Sequence, residues 1–90
     1  MNKAIITVVG KDTVGIIACV CTYLSRHNVN VLDISQTIID GFFNMMMIVD
    51  YAGVDKDFDA MVGDLDGLGD EIGVRIRCQR EEIFTRMHRV

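Results

Sequence analysis

The sequence has no proline and no tryptophan, only 7% aromatic residues and three cysteines among 90 positions. No repeat and no low-complexity tract divides it, so it reads as one domain over residues 1–90. The longest apolar runs, Ile16 to Cys21 and Met45 to Val49, fall far short of the ~20 residues that a spanning helix needs. A secretory leader does not fit either. Lys3 precedes Ala4 to Val9, but Thr7 interrupts that run, and Gly10, Lys11 and Asp12 end it without a small-residue cleavage site. The expectation is a cytoplasmic protein. An odd cysteine count makes a poor disulfide framework, and Cys19 and Cys21, two apart on a helix, point about 200° from one another and cannot clamp one metal. All three read as small buried hydrophobes.

What the chain has in quantity is apolar surface. Half of its residues are hydrophobic and its mean hydropathy is +0.29, yet a body of this size buries only about two-thirds of its unfolded surface. A second buried surface is therefore expected, against a ligand or a partner. Charge is divided as well: residues 1–39 carry net +1, residues 40–71 carry −8 and residues 72–90 carry +3. A net charge of −4 and a pI near 4.9 do not suit nucleic acid. The basic tail instead suits an acidic segment of the same chain or of a neighbour.

The β-branched run Lys3 to Val9, ended by Gly10, predicts a buried strand. Ile16, Ile17, Val20, Tyr23, Leu24 and His27 recur at helical steps, so a helix is predicted over Val14 to His27, capped by Asp12 or Thr13 and ended by Asn28. Val29 to Ile39 and Phe42 to Asp50 read as two strands, joined by the hairpin signal Asp40-Gly41. The second of them alternates an apolar face, Phe43, Met45, Met47 and Val49, with a mixed one. A second helix, capped by Asp55 or Asp57, carries Phe58, Met61, Val62, Leu65 and Leu68 on one stripe, is weakened by Gly63 and Gly67, and ends at Gly69. Val74, Ile76 and Cys78 alternate with Arg75, Arg77 and Gln79 in a strand over Gly73 to Arg80. Glu81 to Arg89 reads as a closing helix with Ile83, Phe84, Met87 and Val90 on one side.

Strand, helix, strand, strand, helix, strand is the α+β, ferredoxin-like βαββαβ sandwich: an antiparallel four-stranded sheet with both main helices on one face, here with an added C-terminal helix. The other sheet face is left for the closing helix or another subunit to cover.

The segment Gly10 to Gly15, GKDTVG, is the most distinctive local feature, placed where a strand hands over to a helix and where backbone amides attract anions. A nucleotide loop is not implied, because Ile16 follows Gly15 where Lys and Ser or Thr are needed. Catalysis finds little support. His27 and His88 are far apart, no serine occupies a nucleophile elbow, and the acidic set Asp57, Asp59, Asp64, Asp66 and Asp70 is spread around a helix as a solvated face. The first loop offers Lys11 where acylphosphatase-like chemistry needs arginine, and it has no C-x-x-C for a heavy metal. No cofactor, no metal, no enzyme activity, no membrane and no direct nucleic-acid contact is expected.

The stretches AIITVVGKDTVGIIACV, NVNVLDISQTIIDGFFNMMMIVD and IRCQREEIFTRMHRV together resemble a stand-alone ACT domain, across essentially the whole chain. DISQTI and IFTRMHRV resemble most a small free-standing bacterial and archaeal group. The ACT modules of the glycine-cleavage transcriptional repressor and of formyltetrahydrofolate deformylase resemble the chain less closely. The resemblance implies a non-enzymatic regulatory domain that pairs side by side into an eight-stranded sheet and binds a small amino acid where the first loop of one protomer meets the second strand of its mate. On this sequence it implies Gly10, Lys11, Asp12, Thr13, Val14 and Gly15 as that loop. Asn30 matches the polar position of a GVNI-like motif in which Asn28 replaces glycine, a substitution that left-handed geometry tolerates. Asp33, Ser35 and Gln36 belong to the narrower group's motif, and Asp33 joins Asn30 as a ligand-binding candidate. Such a homodimer would pass ligand binding on to a partner enzyme or regulator. The alternative is a protein-interaction or transcription-regulatory module, docking through the basic tail and the acidic helix, with no working ligand site.

Overall fold

A computed structural model describes residues 2–82. Its elements are β1 (Lys3–Lys11), α1 (Ile16–Arg26), β2 (Asn30–Ile39), β3 (Phe42–Asp50), α2 (Phe58–Ile72) and β4 (Val74–Arg80). The strands form one antiparallel sheet in the order β2-β3-β1-β4, the ferredoxin-like arrangement that the pattern predicts. The closing helix expected from Glu81 lies outside the described residues from residue 83 onward.

The expected hairpin forms, with Ile39 opposite Phe42. Asp40 and Gly41 both have positive φ, 53° and 81°, as a two-residue type I′ turn requires. Register then decides what is buried. On β3, Phe43, Met45, Met47 and Val49 are at most 3% exposed, beneath Ile16, Val20 and Leu24 of α1 and Met61 and Leu65 of α2. Ala4, Ile6 and Val8 of β1 and Val74, Ile76 and Cys78 of β4 complete this core. Helix α1 ends in a Schellman motif: the Val29 amide donates to the Leu24 carbonyl at 2.9 Å and the Asn28 amide to the Ser25 carbonyl at 3.3 Å, with Asn28 left-handed at φ 61°.

Three expected boundaries are corrected. Strand β1 runs through Gly10 to Lys11, because Gly10 pairs with Phe43 on one side and Val74 on the other. Helix α1 starts at Ile16 rather than Val14, and neither Asp12 nor Thr13 caps it: its N-cap is Gly15, at φ 89°, with no side-chain hydrogen bond. Helix α2 does not stop at Gly69 but continues to Ile72, with Gly73 as the left-handed cap and Asp57 as N-cap. Gly69 is buried for a packing reason. A Cβ there would sit 2.6 Å from the Val74 carbonyl oxygen, just as one on Gly10 would sit 2.8 Å from Val74 Cγ1. Both glycines let the start of β4 close on its neighbours.

Candidate functional site

The Gly10 to Gly15 segment divides in two. Gly10 and Lys11 belong to the strand, and Asp12, Thr13, Val14 and Gly15 form an exposed turn tied to the hairpin by a 2.8 Å bond from the Asp12 amide to the Gly41 carbonyl. Because Gly15 carries no capping side chain, the first-turn amides of α1 are left to solvent or to a ligand. The first intrahelical bond is that of the Cys19 amide to the Gly15 carbonyl, 2.9 Å. Val14, within this turn, is fully exposed.

Asn30 and Asp33 stand elsewhere. Asn30 begins β2, whereas the Gly41 end of the hairpin, where the loop is tied, follows its last residue, Ile39. Nine strand steps separate Asn30 from Ile39, about 30 Å. Within one protomer the sheet therefore keeps the loop and Asn30 apart. Asn30 lines a shallow cavity of about 320 Å³ together with Cys21, Ser25 and Asn28. A register shift between Val31 and Asp33 sets Leu32 out of the pairing with β3 and places Asp33 opposite Ile48, Ser35 opposite Met46 and Gln36 opposite Met45. Ser35 and Gln36 line a different cavity, near Thr7 and Asn44.

Strand β2 is one of the two edges of the sheet, β4 being the other, and all of β2 but the half-buried Val31 is exposed. Leu32, Ile34, Ile38 and Ile39 are 41–64% exposed along it, Phe42 is 57% exposed beyond the turn, and Ile17 of α1 is 36% exposed although it belongs to the expected inward stripe. Much of the apolar surplus of the composition therefore gathers at this edge and around the loop, with Val9 and Met46 exposed on the central strands.

A polar cluster ties the two helices together. The Tyr23 hydroxyl donates to Asp64 Oδ2 at 2.6 Å, Lys56 Nζ donates to the same oxygen at 2.6 Å, and His27 Nδ1 lies 2.9 Å from Asp55 Oδ1. The Tyr23 and His27 rings are 4.5 Å apart. Hydrogen bonds from Lys56 and Tyr23 hold the Asp64 carboxyl below its ordinary range. Burial, reinforced by the bond to Asp64, raises the Tyr23 phenol. His27 thus has the helix-end structural role expected of it, whereas Asp64 is engaged rather than merely solvated. Sequence reasoning missed this cluster, although Tyr23 and His27, one helical turn apart on one face, were its visible half. Cys19 and Cys21 are half-buried, and burial pushes the Cys78 thiol up to about 12. Among the described residues no group of three or more His, Cys, Asp or Glu side chains could hold a metal, and no helix is long and apolar enough to cross a membrane.

Comparison with known proteins agrees with this architecture. The family model described as ACT domain matches residues 2–79. A UPF0237 protein of Bifidobacterium longum is 86% identical over 90 residues, covering all of both chains. A UPF0237 protein of Methanocaldococcus jannaschii is 41% identical over 90 residues, again covering all of both. Among solved structures, an ACT domain protein from Streptococcus pneumoniae superposes with a TM-score of 0.81 at 40% identity, covering 92% of this chain and 93% of that one. A formyltetrahydrofolate deformylase from Pseudomonas syringae pv. tomato shares the fold with a TM-score of 0.81 at 22% identity, covering 89% of this chain and 28% of that one. ACT domains are in general regulatory, ligand-binding domains, and by model match, relatives and fold this chain belongs to the ACT domain family and, within it, to the UPF0237 proteins.

Proposed function

We propose that this chain is a non-enzymatic sensor of a small amino acid, acting as a homodimer whose two edge strands β2 pair antiparallel, and that each ligand site is shared between protomers. The observation that carries this reading is the separation of the loop from Asn30 along an edge strand whose outer side is unpaired among the described residues. Antiparallel pairing of two β2 strands about their middles lays the Asn30 end of one against the Ile39 end of the other, where the turn of Asp12 to Gly15 is anchored. It also removes Leu32, Ile34, Ile38 and Ile39 from water. In that assembly the ligand carboxylate rests on the uncapped amides at the start of α1, and Asn30 with Asp33 of the mate accepts the ammonium. Lys11, at the strand end, adds positive charge beside the carboxylate. Ligand binding then favours the dimer that completes the site, and a partner enzyme or regulator reads the shift in population.

The docking module without a ligand site is favoured by one observation, the exposed acidic row Asp59, Asp66 and Asp70 on α2, with Glu71 exposed beside it. Thermal unfolding in the presence of each of the twenty amino acids separates the two. At a hundred times its dissociation constant a true ligand adds about 2.7 kcal/mol, a shift of roughly 10 to 20 °C in a chain of this size. No shift with any amino acid contradicts the sensor.

A further inference from the structure

Register shows which carboxylate stands beside Asn30. Asn30 pairs directly with Asp50 at the end of β3, so the two side chains leave the same face of the sheet, with Cβ atoms about 5 Å apart. Asp33 is farther off, because the shift at Leu32 sets it opposite Ile48, about 7 Å further along the strands. Asp50 is also half-buried where Asp33 is exposed. Its Oδ1 accepts the Ala52 amide at 3.0 Å, which orients the carboxylate and leaves Oδ2 to another donor. The two ion pairs among the described residues are His27 with Asp55 and Lys56 with Asp64, and neither Asp50 nor Lys3, which faces it from β1, takes part in them. The surroundings are braced as well. Asn28 Nδ2 donates to the Gly53 carbonyl at 3.0 Å, and a Cβ on Gly53 would sit 2.7 Å from that nitrogen. The turn that delivers Asn30 is thereby tied to the loop that follows Asp50.

We infer that Asp50 is the carboxylate that receives the ligand's ammonium beside Asn30, a binding residue of the shared site; the inference rests on the sensor reading above. An ammonium carries three donors, and Asn30 Oδ1 and Asp50 Oδ2 are two acceptors on one face at the spacing of a cross-strand pair. A charge-assisted bond to a half-buried carboxylate is screened less than one to an exposed carboxylate. Asp50 therefore supplies the close charge, and Asp33 the outlying one. Because the Ala52 amide and the bond from Asn28 to Gly53 already hold the segment, the acceptors are in place before the ligand arrives. The consequence is a rule for the ligand class: the site selects a free α-ammonium and discriminates against the α-hydroxy acid of the same shape.

The test titrates the ¹⁵N-labelled full chain with L-alanine, L-serine and L-phenylalanine, and with L-lactate, L-glycerate and L-phenyllactate, which keep the carboxylate and side chain and lack the ammonium. Any further amino acid that raises the unfolding midpoint is paired with its own α-hydroxy acid. The expected result in the wild type is saturable shifts at Asn30, Asp50 and Ala52 with the amino acid, and binding of the hydroxy acid weaker by about tenfold or more. Asp50→Asn keeps an oxygen for the Ala52 amide, and it should lose about tenfold for the amino acid alone, so that it binds the two acids alike. Asp33→Asn should lose about threefold or less. Equal wild-type affinity for the two acids, a preference that survives Asp50→Asn, or one that only Asp33→Asn abolishes would each overturn the assignment and leave the shared site standing. So would wild-type shifts that bypass Asp50 and Ala52, a result that does not depend on whether the variant folds. If no amino acid moves either the midpoint or the spectrum of the wild type, the shared site falls and this assignment falls with it.

Discussion

Strands β1 and β2 are both rich in β-branched residues and lie in the same sheet, one strand apart. Ala4, Ile5, Ile6 and Val8 of β1 are all buried, whereas no residue of β2 is. The difference comes from place, since β1 has a strand on each side and the helix layer above it, and β2 is an edge that α1 barely overhangs. Apolar content therefore has two meanings in this chain: in the centre it holds the fold, and at the edge it is left exposed.

Substitutions on the two sides of one strand sharpen that contrast most. Met47 is completely buried, and Met47→Ala should cost about 2 to 5 kcal/mol in urea unfolding. Met46, its neighbour on the other face, is 41% exposed, and Met46→Ala should stay within about 0.5 kcal/mol. An equal cost for the two would erase the distinction between the faces. Next in size is Gly10→Val, which forces a side chain against Val74 and should cost about 1 to 3 kcal/mol. That residue is thus a test of packing rather than of the ligand loop. Ile38→Lys, at the edge, should leave the monomer's unfolding midpoint nearly unchanged while light scattering falls from about 20 kDa to about the 10.1 kDa of one chain. A variant that remains dimeric would remove β2 from the interface.

Smaller effects probe the cluster between the helices. Tyr23→Phe deletes the bond to Asp64 and should cost about 1 kcal/mol or less. The Asp64 carboxyl is held below its unfolded value, so its contribution is complete above about pH 5 and is lost as pH falls through the unfolded and then the folded value. Asp64→Asn should therefore flatten the acid limb of the stability curve. Cys78 should resist alkylation near neutral pH while Cys19 and Cys21, half-buried on α1, react first, as mass spectrometry of partly labelled protein will show.

Much of this was legible in the sequence because local chemistry specified it. Asp40-Gly41 announced a type I′ turn, the alternation from Phe43 to Val49 announced which face is buried, and the order of elements announced the sheet. The helix limits were less legible. Gly15 replaces a side-chain cap by a left-handed backbone, and Gly69 interrupts no helix because its smallness serves a contact with β4 that only the tertiary fold creates. The candidate site was readable as residue types but not as a place. Gly10 belongs to β1 and Asn30 lies a strand's length from the loop, and no periodicity in one chain reports what a second chain brings beside it.

The shared site is tested most directly by complementation. Gly15→Val damages the loop and Asn30→Ala damages the mate's strand, so each variant alone should fail to bind the amino acid that gives the wild type its largest thermal shift. Mixed in equal amounts and allowed to exchange subunits, they should recover about a quarter of the wild-type sites, because each mixed dimer holds one intact loop facing one intact Asn30. Recovery of none, with subunit exchange demonstrated, would contradict a site built across two protomers.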